Sequence, residues 1–415
     1  MLLARNRNFR LLFSASAISN LGDGISALAF PWLASLITRD PFLIGLVAAA
    51  GRLAWLLFTL PVGVVTDRVD RQRLMVRTDV LRMLLTFGVV ALILSAPPMP
   101  LAENAVEALP MIAGLAAAAF LLGVAEVFRD NAAQTALPSV VDKAELERAN
   151  GQLWSVEQIM GQFIGPPLAG LLIATAVPVP FIVDAVSFGL AAWLIWCISM
   201  PRVALAPSGG FWAQFKEGAA WMARHRTILT FAIMLSLLNF VTFGSLTLLV
   251  LLSQELYGLD AAGYGILLTA GAAGAVLGGM LGPKIAGALG GLRTVQVALV
   301  IMAVPFAMLA LTQSAVVAGL ALGLMWFGGM TWNVVTVSLR QRVIPAQLLG
   351  RVNAIYRFFG WGSIPLGAFA AGLLVSMAEP SLGRIAALQL PFWIGAGTVL
   401  ALLGWALTRL RFDGA

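Results

Sequence analysis

The residues able to do chemistry in this chain are charged groups set inside apolar stretches. Asp23 lies near the middle of the first long apolar run and Arg52 near the middle of the second. Charges at such depth in a membrane cost roughly 2.5–3.5 kcal/mol on insertion scales and usually mark ion or substrate pathways. Ser16, Ser19, Asn20 and Ser26 extend a polar stripe around Asp23 at helical spacing. Two chemistries fit these residues. Asp23 and Arg52, at comparable depth, form a buried pair that fixes packing, or Asp23 exchanges a proton or meets a cationic substrate. Glu126, Arg129 and Asp130 stand at i, i+3 and i+4, so they share a helical face. They make either a salt-bridge cluster at one end of their helix or part of a cavity wall. Glu157, Tyr356 and Arg357 are further cavity candidates, and Asp184 sits near the end of its own stretch. Asp79 and Arg82, at i and i+3, read as a local structural pair.

Other chemistries are excluded by what the chain lacks. One histidine, His225, and one cysteine, Cys197, rule out the usual His- or Cys-rich metal sites. They also rule out an internal disulfide. The HExxH pattern needs two histidines, and no GxSxG nucleophile motif occurs, so the chain reads as neither an intramembrane protease nor a serine hydrolase. No cofactor is expected.

These charges must be held by membrane helices. Only 11% of residues are charged and 60% are hydrophobic, against about 25% charged in a typical soluble domain. Twelve stretches are long enough to cross a bilayer: 11–37, 42–66, 74–95, 109–130, 151–175, 178–199, 227–253, 261–287, 293–313, 316–338, 353–377 and 388–408. The basic Arg5, Arg7 and Arg10 precede a run too long for a signal peptide, so the first stretch reads as an uncleaved helix. Alternating the spans from a cytoplasmic N-terminus puts 20 of the 26 Lys and Arg residues on the cytoplasmic side. That is the positive-inside distribution. Both termini are therefore expected in the cytoplasm, and the net charge of +7 reflects topology rather than a nucleic-acid footprint.

The expected fold is an all-α membrane protein with twelve transmembrane helices in two six-helix halves. Residues 1–199 form the first half, 200–226 a cytoplasmic linker with an amphipathic helix, and 227–415 the second half. An internal repeat supports the division. Asn131, Arg148-Ala149-Asn150 and Ala169-Gly170-Leu171-Leu172 recur as Asn333, Arg351-Val352-Asn353 and Ala371-Gly372-Leu373-Leu374. Parallel repeats of this kind are characteristic of one class of secondary transporters.

Two motifs sharpen the reading. The loop after the second stretch carries Gly63, Asp67, Arg68, Arg71 and Arg73, with Asp70 and Gln72 interposed. It resembles the signature cytoplasmic loop of the major facilitator superfamily, departing at Asp70, where Gly is commoner, and at Gln72. The fifth stretch carries Gly161, Gly165-Pro166 and Gly170, with Ala169 in place of a glycine. It resembles the antiporter motif of exporters in the same superfamily; a structural kink at Pro166 is the alternative. Asn8-Phe9-Arg10, Gly22-Asp23 and the Arg52…Asp67-Arg68…Arg71 spacing are most similar to the enterobactin-exporter and macrolide-efflux group.

The resemblance implies a gating role for the 63–73 loop, with Asp67 at the N-terminus of the eleventh span and Arg71 or Arg73 in a charge relay. It implies proton-driven export of an amphipathic small molecule, such as a drug or siderophore, by alternating access. In that scheme Asp23 first, and Glu126 second, load a proton. A uniporter or importer of a nutrient or lipid is the alternative. The expected partners are a small-molecule substrate, protons and the bilayer, with no nucleic acid. The expected location is the plasma (inner) membrane, and twelve spans suffice for a functional monomer.

Overall fold

A computed structural model describes residues 2–59, 61–66, 69–102, 106–142, 145–199 and 211–410. Asp67 and Arg68 of the predicted gating loop, and the first part of the linker, lie outside the described residues.

The described chain is helical throughout. Its first part runs α1 (Leu2–Arg5), α2 (Arg7–Ile37), α3 (Pro41–Phe58), α4 (Val62–Thr66), α5 (Arg71–Leu94) and α6 (Ala108–Ala136). Then follow α7 (Leu146–Glu157), a π-helical segment Gln158–Ile164, α8 (Gly165–Thr175) and α9 (Val179–Trp196). Helix α10 (Phe211–Arg224) falls in the predicted linker. The last part runs α11 (Arg226–Thr247), α12 (Leu249–Glu255), α13 (Ala261–Leu289), α14 (Gly291–Leu311), α15 (Ala315–Val343), α16 (Ala346–Leu382) and α17 (Arg384–Arg409).

Among the described residues, nine helices are long and apolar enough to cross a membrane. The other three predicted stretches, 11–37, 74–95 and 151–175, are helical too, as α2, α5 and the α7–π–α8 run. Their sequences show why they differ. Helix α2 holds Arg7, Arg10 and Asp23, α5 holds Arg71, Arg73, Arg77, Asp79 and Arg82, and the third is broken by the π segment.

Contacts divide the chain into two compact units. One comprises Met1–Arg39, Ala50–Ser208 and Asp260–Ile266; the other comprises Asp40–Ala49, Gly209–Leu259 and Leu267–Ala415. In the first, α2 packs on α9 and α8, α9 on α5, and α5 on α6. In the second, α11 packs on α16 and α17, and α14 on α15 and α17. Helix α10 lies against α16, where Glu217 pairs with Arg351 and Gly218 admits Ile355.

Local chemistry sets the helix ends. Asn6 accepts from the Phe9 N–H at 2.9 Å and so caps α2. Asp70 accepts from the Arg73 N–H at 3.0 Å and caps α5 in the same way. Asp70→Ala should therefore cost about 1 kcal/mol, read as a lowered thermal midpoint of the purified protein with transport retained. The two hydrogens of Gln72 Nε2 are shared among the carbonyls of Ile195 (2.9 Å), Trp196 (3.2 Å) and Ile198 (2.7 Å) at the end of α9. Both departures from the loop pattern thus serve as caps.

Candidate functional site

The polar stripe of α2 faces α5 and α9. Ser19 Oγ lies 3.3 Å from Arg82 Nη1, Asp23 forms an ion pair with Arg82, and Ser26 donates to Asp184 Oδ2. The expected Asp23–Arg52 pair does not form: α5 brings Arg82 to Asp23. Arg52 is exposed on α3 and acts electrostatically on Glu126.

Arg82 is buried and contested. Besides Asp23 it meets Asp79 at 3.8 Å, one turn earlier on its own helix. Its guanidinium carbon stands 3.9 Å from the centroid of the Phe188 ring on α9, a cation–π contact. Asp79, fully buried, also faces Arg129 of α6 at 3.5 Å, and Arg129 reaches Asp130 at 3.7 Å. The result is a chain of alternating charge, Asp23–Arg82–Asp79–Arg129–Asp130, running from α2 through α5 to α6. Asp79 and Arg82 are therefore more than the local pair their spacing suggested, since each reaches another helix.

The end of α6 continues toward the predicted gating loop. Thr66 donates to Asn131 Oδ1 at 2.6 Å, and Arg71 donates to the Thr135 carbonyl at 3.0 Å. Arg73 is exposed, and Gly63 lies on the short helix α4.

The remaining predicted residues separate. Glu126 is half-buried and feels Asp23, Arg52, Asp130 and Arg82. Glu157 is exposed and feels Asp23, Arg129 and Glu126. Tyr356 and Arg357 lie on α16, in the other unit. The Tyr356 hydroxyl donates to the Phe231 carbonyl at 3.3 Å, and its ring lies 3.8 Å from the Arg340 guanidinium carbon. Arg357 is exposed, 5.0 Å from the Trp361 ring.

Gly161 and Gly165 form a contact surface against α2. A methyl at Gly24 would stand 2.4 Å from the Gly161 carbonyl oxygen, and one at Gly165 would stand 2.5 Å from Gly24 Cα. Glycines are required there for the backbones to touch. The helix widens rather than simply kinking. Gly165 N–H bonds to the Met160 carbonyl, an i−5 bond, immediately before Pro166 and Pro167, which bring no donor of their own.

Sequence reasoning gave little weight to Arg82 and Asp184. Both were visible as charges inside apolar stretches, which is the signal that singled out Asp23.

The nucleoside transporter NupG superposes with a TM-score of 0.74 at 13% identity, covering 98% of this chain and all of that one. A bacterial homologue of the iron transporter ferroportin gives 0.73 at 16%, covering 96% and 98%. These likenesses establish the fold alone. The multidrug efflux pump Tap of Mycolicibacterium fortuitum is 32% identical over 169 residues, covering 40% of this chain and 38% of Tap. The MFS-type transporter YkuC of Bacillus subtilis is 24% identical over 308 residues, 68% of this chain and 66% of that one. The match to Tap thus spans less than half of that relative's length. The transmembrane secretion effector signature (MFS_3) matches residues 3–405. The chain belongs to this family of major facilitator superfamily transporters and is an integral membrane protein.

Proposed function

We propose that this protein is a proton-coupled exporter of amphipathic small molecules, working by alternating access of two six-helix halves in the plasma membrane, with both termini cytoplasmic and the monomer as functional unit. The observation that carries the reading is the charge chain, buried at Asp79, Arg82 and Arg129, together with the acids around it. Six carboxylates (Asp23, Asp79, Glu126, Asp130, Glu157 and Asp184) interact with three guanidiniums (Arg52, Arg82 and Arg129) inside one unit. A surplus of acid in a low-dielectric setting is a place to hold protons or cations. Asp23 is its centre: it is one-third exposed, it is bound to Arg82, and it acts on Glu126, Asp130, Glu157 and Asp184.

Export is favoured over uptake by the similarity to a multidrug efflux pump. Gly161 and Gly165 agree with it, since they let the π segment and the start of α8 slide against α2 without side-chain interlock. Loop residues Gly63, Asp67, Arg68, Arg71 and Arg73 act as the gate. The bonds from Thr66 and Arg71 to the end of α6 connect that gate to the charge chain.

The test is a pH-gradient assay in everted membrane vesicles with an acid interior. Adding the lipophilic cation ethidium should collapse the gradient in vesicles that contain the protein and leave it intact in those that do not. An equal response in both would remove the antiport reading.

A further inference from the structure

Asp184 and Asp79 are both fully enclosed, but Asp79 meets Arg82 and Arg129 whereas Asp184 forms no ion pair among the described residues. It lies on α9 with no exposed surface. Its Oδ2 accepts the Ser26 hydroxyl from α2. Among the described residues its Oδ1 has no hydrogen-bond donor other than the neighbouring Ser187 hydroxyl. That oxygen shares a niche with Ser187 Oγ on the surface of Gly22: a methyl at Gly22 would stand 2.2 Å from Oδ1 and 2.3 Å from Oγ. The Ser187 hydroxyl reaches both the Asp184 backbone carbonyl, at 2.7 Å, and the Asp184 carboxyl, and its one hydrogen serves either. When that hydrogen goes to the backbone carbonyl, the Ser187 oxygen is left to accept from the carboxyl. A hydroxyl oxygen retains acceptor capacity after donating, and a protonated carboxyl supplies one O–H donor. A hydrogen on Oδ1 completes the niche.

The surrounding charges point the same way. Three helices pack on α9: α2, α5 and α8. From α2 Asp23 acts on Asp184, from α5 Arg82 does, and α8 carries no charged residue. Arg82 directs its ion pairs to Asp23 and Asp79, and its flat face to Phe188, one turn beyond Asp184. Asp184 is left with a hydroxyl in place of a counter-ion. An ionised carboxylate buried in that way is among the costliest groups a protein can hold, and it neutralises instead.

We infer that Asp184, with Ser26 and Ser187, is the proton-binding site of the transporter, and that Asp23 is the site for a monovalent lipophilic cation, the two sharing Arg82 as a single counter-ion. The inference rests on the proton-coupled reading. With the proton on Oδ1, Arg82 pairs with Asp23. When the O–H bond breaks heterolytically, the electron pair stays on Oδ1 and the proton leaves to water. The new carboxylate then draws Arg82 from Asp23. Asp23 turns its negative charge to the cation. Each loaded state has the same net charge, since either a proton or a cation balances the second carboxylate. Proton and substrate exclude each other because Arg82, held by Asp79 on one side, has its other side for either Asp23 or Asp184, and that exclusion is what antiport requires.

Two readouts on the purified protein in lipid vesicles test this. Infrared spectra at neutral pH should show a protonated-carboxyl band that is lost in Asp184→Asn and kept in Asp23→Asn. Ser26→Ala removes one hydroxyl and leaves the acid in place, so it should shift that band even if Asp184→Asn does not fold. In weakly buffered medium, wild type should release a proton for each ethidium bound, and Asp184→Asn should release none. If wild type releases no proton, the proton-coupled reading falls. If wild type releases one and Asp184→Asn does also, with the band unchanged by Ser26→Ala, the Asp184 assignment alone is overturned.

Discussion

Arg82→Met is expected to destabilise the folded protein by about 3–5 kcal/mol, the loss found when one partner of a buried ion pair is removed. The guanidinium is 3% exposed and is shared by Asp23 on one side and Asp79 on the other. Methionine fills much of its volume but leaves two carboxylates facing each other across the gap. Lysine would not replace it, because its compact charge cannot span two acids and stack on Phe188 at once. The double variant Arg82→Met/Asp79→Asn should recover part of the loss, since Asp79 would no longer be a buried charge and Arg129 would keep Asp130 at 3.7 Å. Thermal unfolding of the purified proteins measures both changes. Equal midpoints for Arg82→Met and wild type would show that the charge chain carries no stability.

Asp23→Asn is expected to do the opposite: keep the fold and abolish coupling. Asp23 is the more exposed partner of its pair, at 32% against 3% for Arg82. Without it, Arg82 retains Asp79 and the Phe188 ring. The thermal midpoint should therefore move little, while ethidium-dependent collapse of the pH gradient falls to the level of vesicles lacking the protein. Retained coupling in a folded Asp23→Asn protein would take Asp23 out of the transport cycle.

The sequence carried the elements better than the partnerships. Long apolar runs and charge asymmetry are local or one-dimensional signals, so the helices appeared near their predicted places. The stripe Ser16, Ser19, Asn20, Asp23 and Ser26 was legible because helical spacing fixes one face. Which helix that face meets is not a one-dimensional property. Arg52 sits at a depth comparable to Asp23, yet α5 and not α3 delivers the guanidinium. Asp79 and Arg82 satisfy an i, i+3 spacing, and that local explanation hid their reach to α2 and α6. Asp184 was discounted by its place near the end of a stretch, although the approach of α2 at Gly22 encloses it completely. Two departures from the loop motif had different visibility. Asp70 before a helix is a recognisable cap signal. Gln72 caps a helix more than a hundred residues away, and nothing near it in the chain says so. The π segment before Pro166 and Pro167 replaces the expected simple kink because widening the helix re-registers its hydrogen bonds around two residues that lack donors.

The measurement that bears most directly on the central claim is ethidium accumulation in energised everted vesicles, with and without a protonophore. Proton-coupled export predicts accumulation above the external concentration that disappears when the protonophore is added. Accumulation that survives the protonophore, or movement only down the ethidium gradient in both conditions, would contradict it.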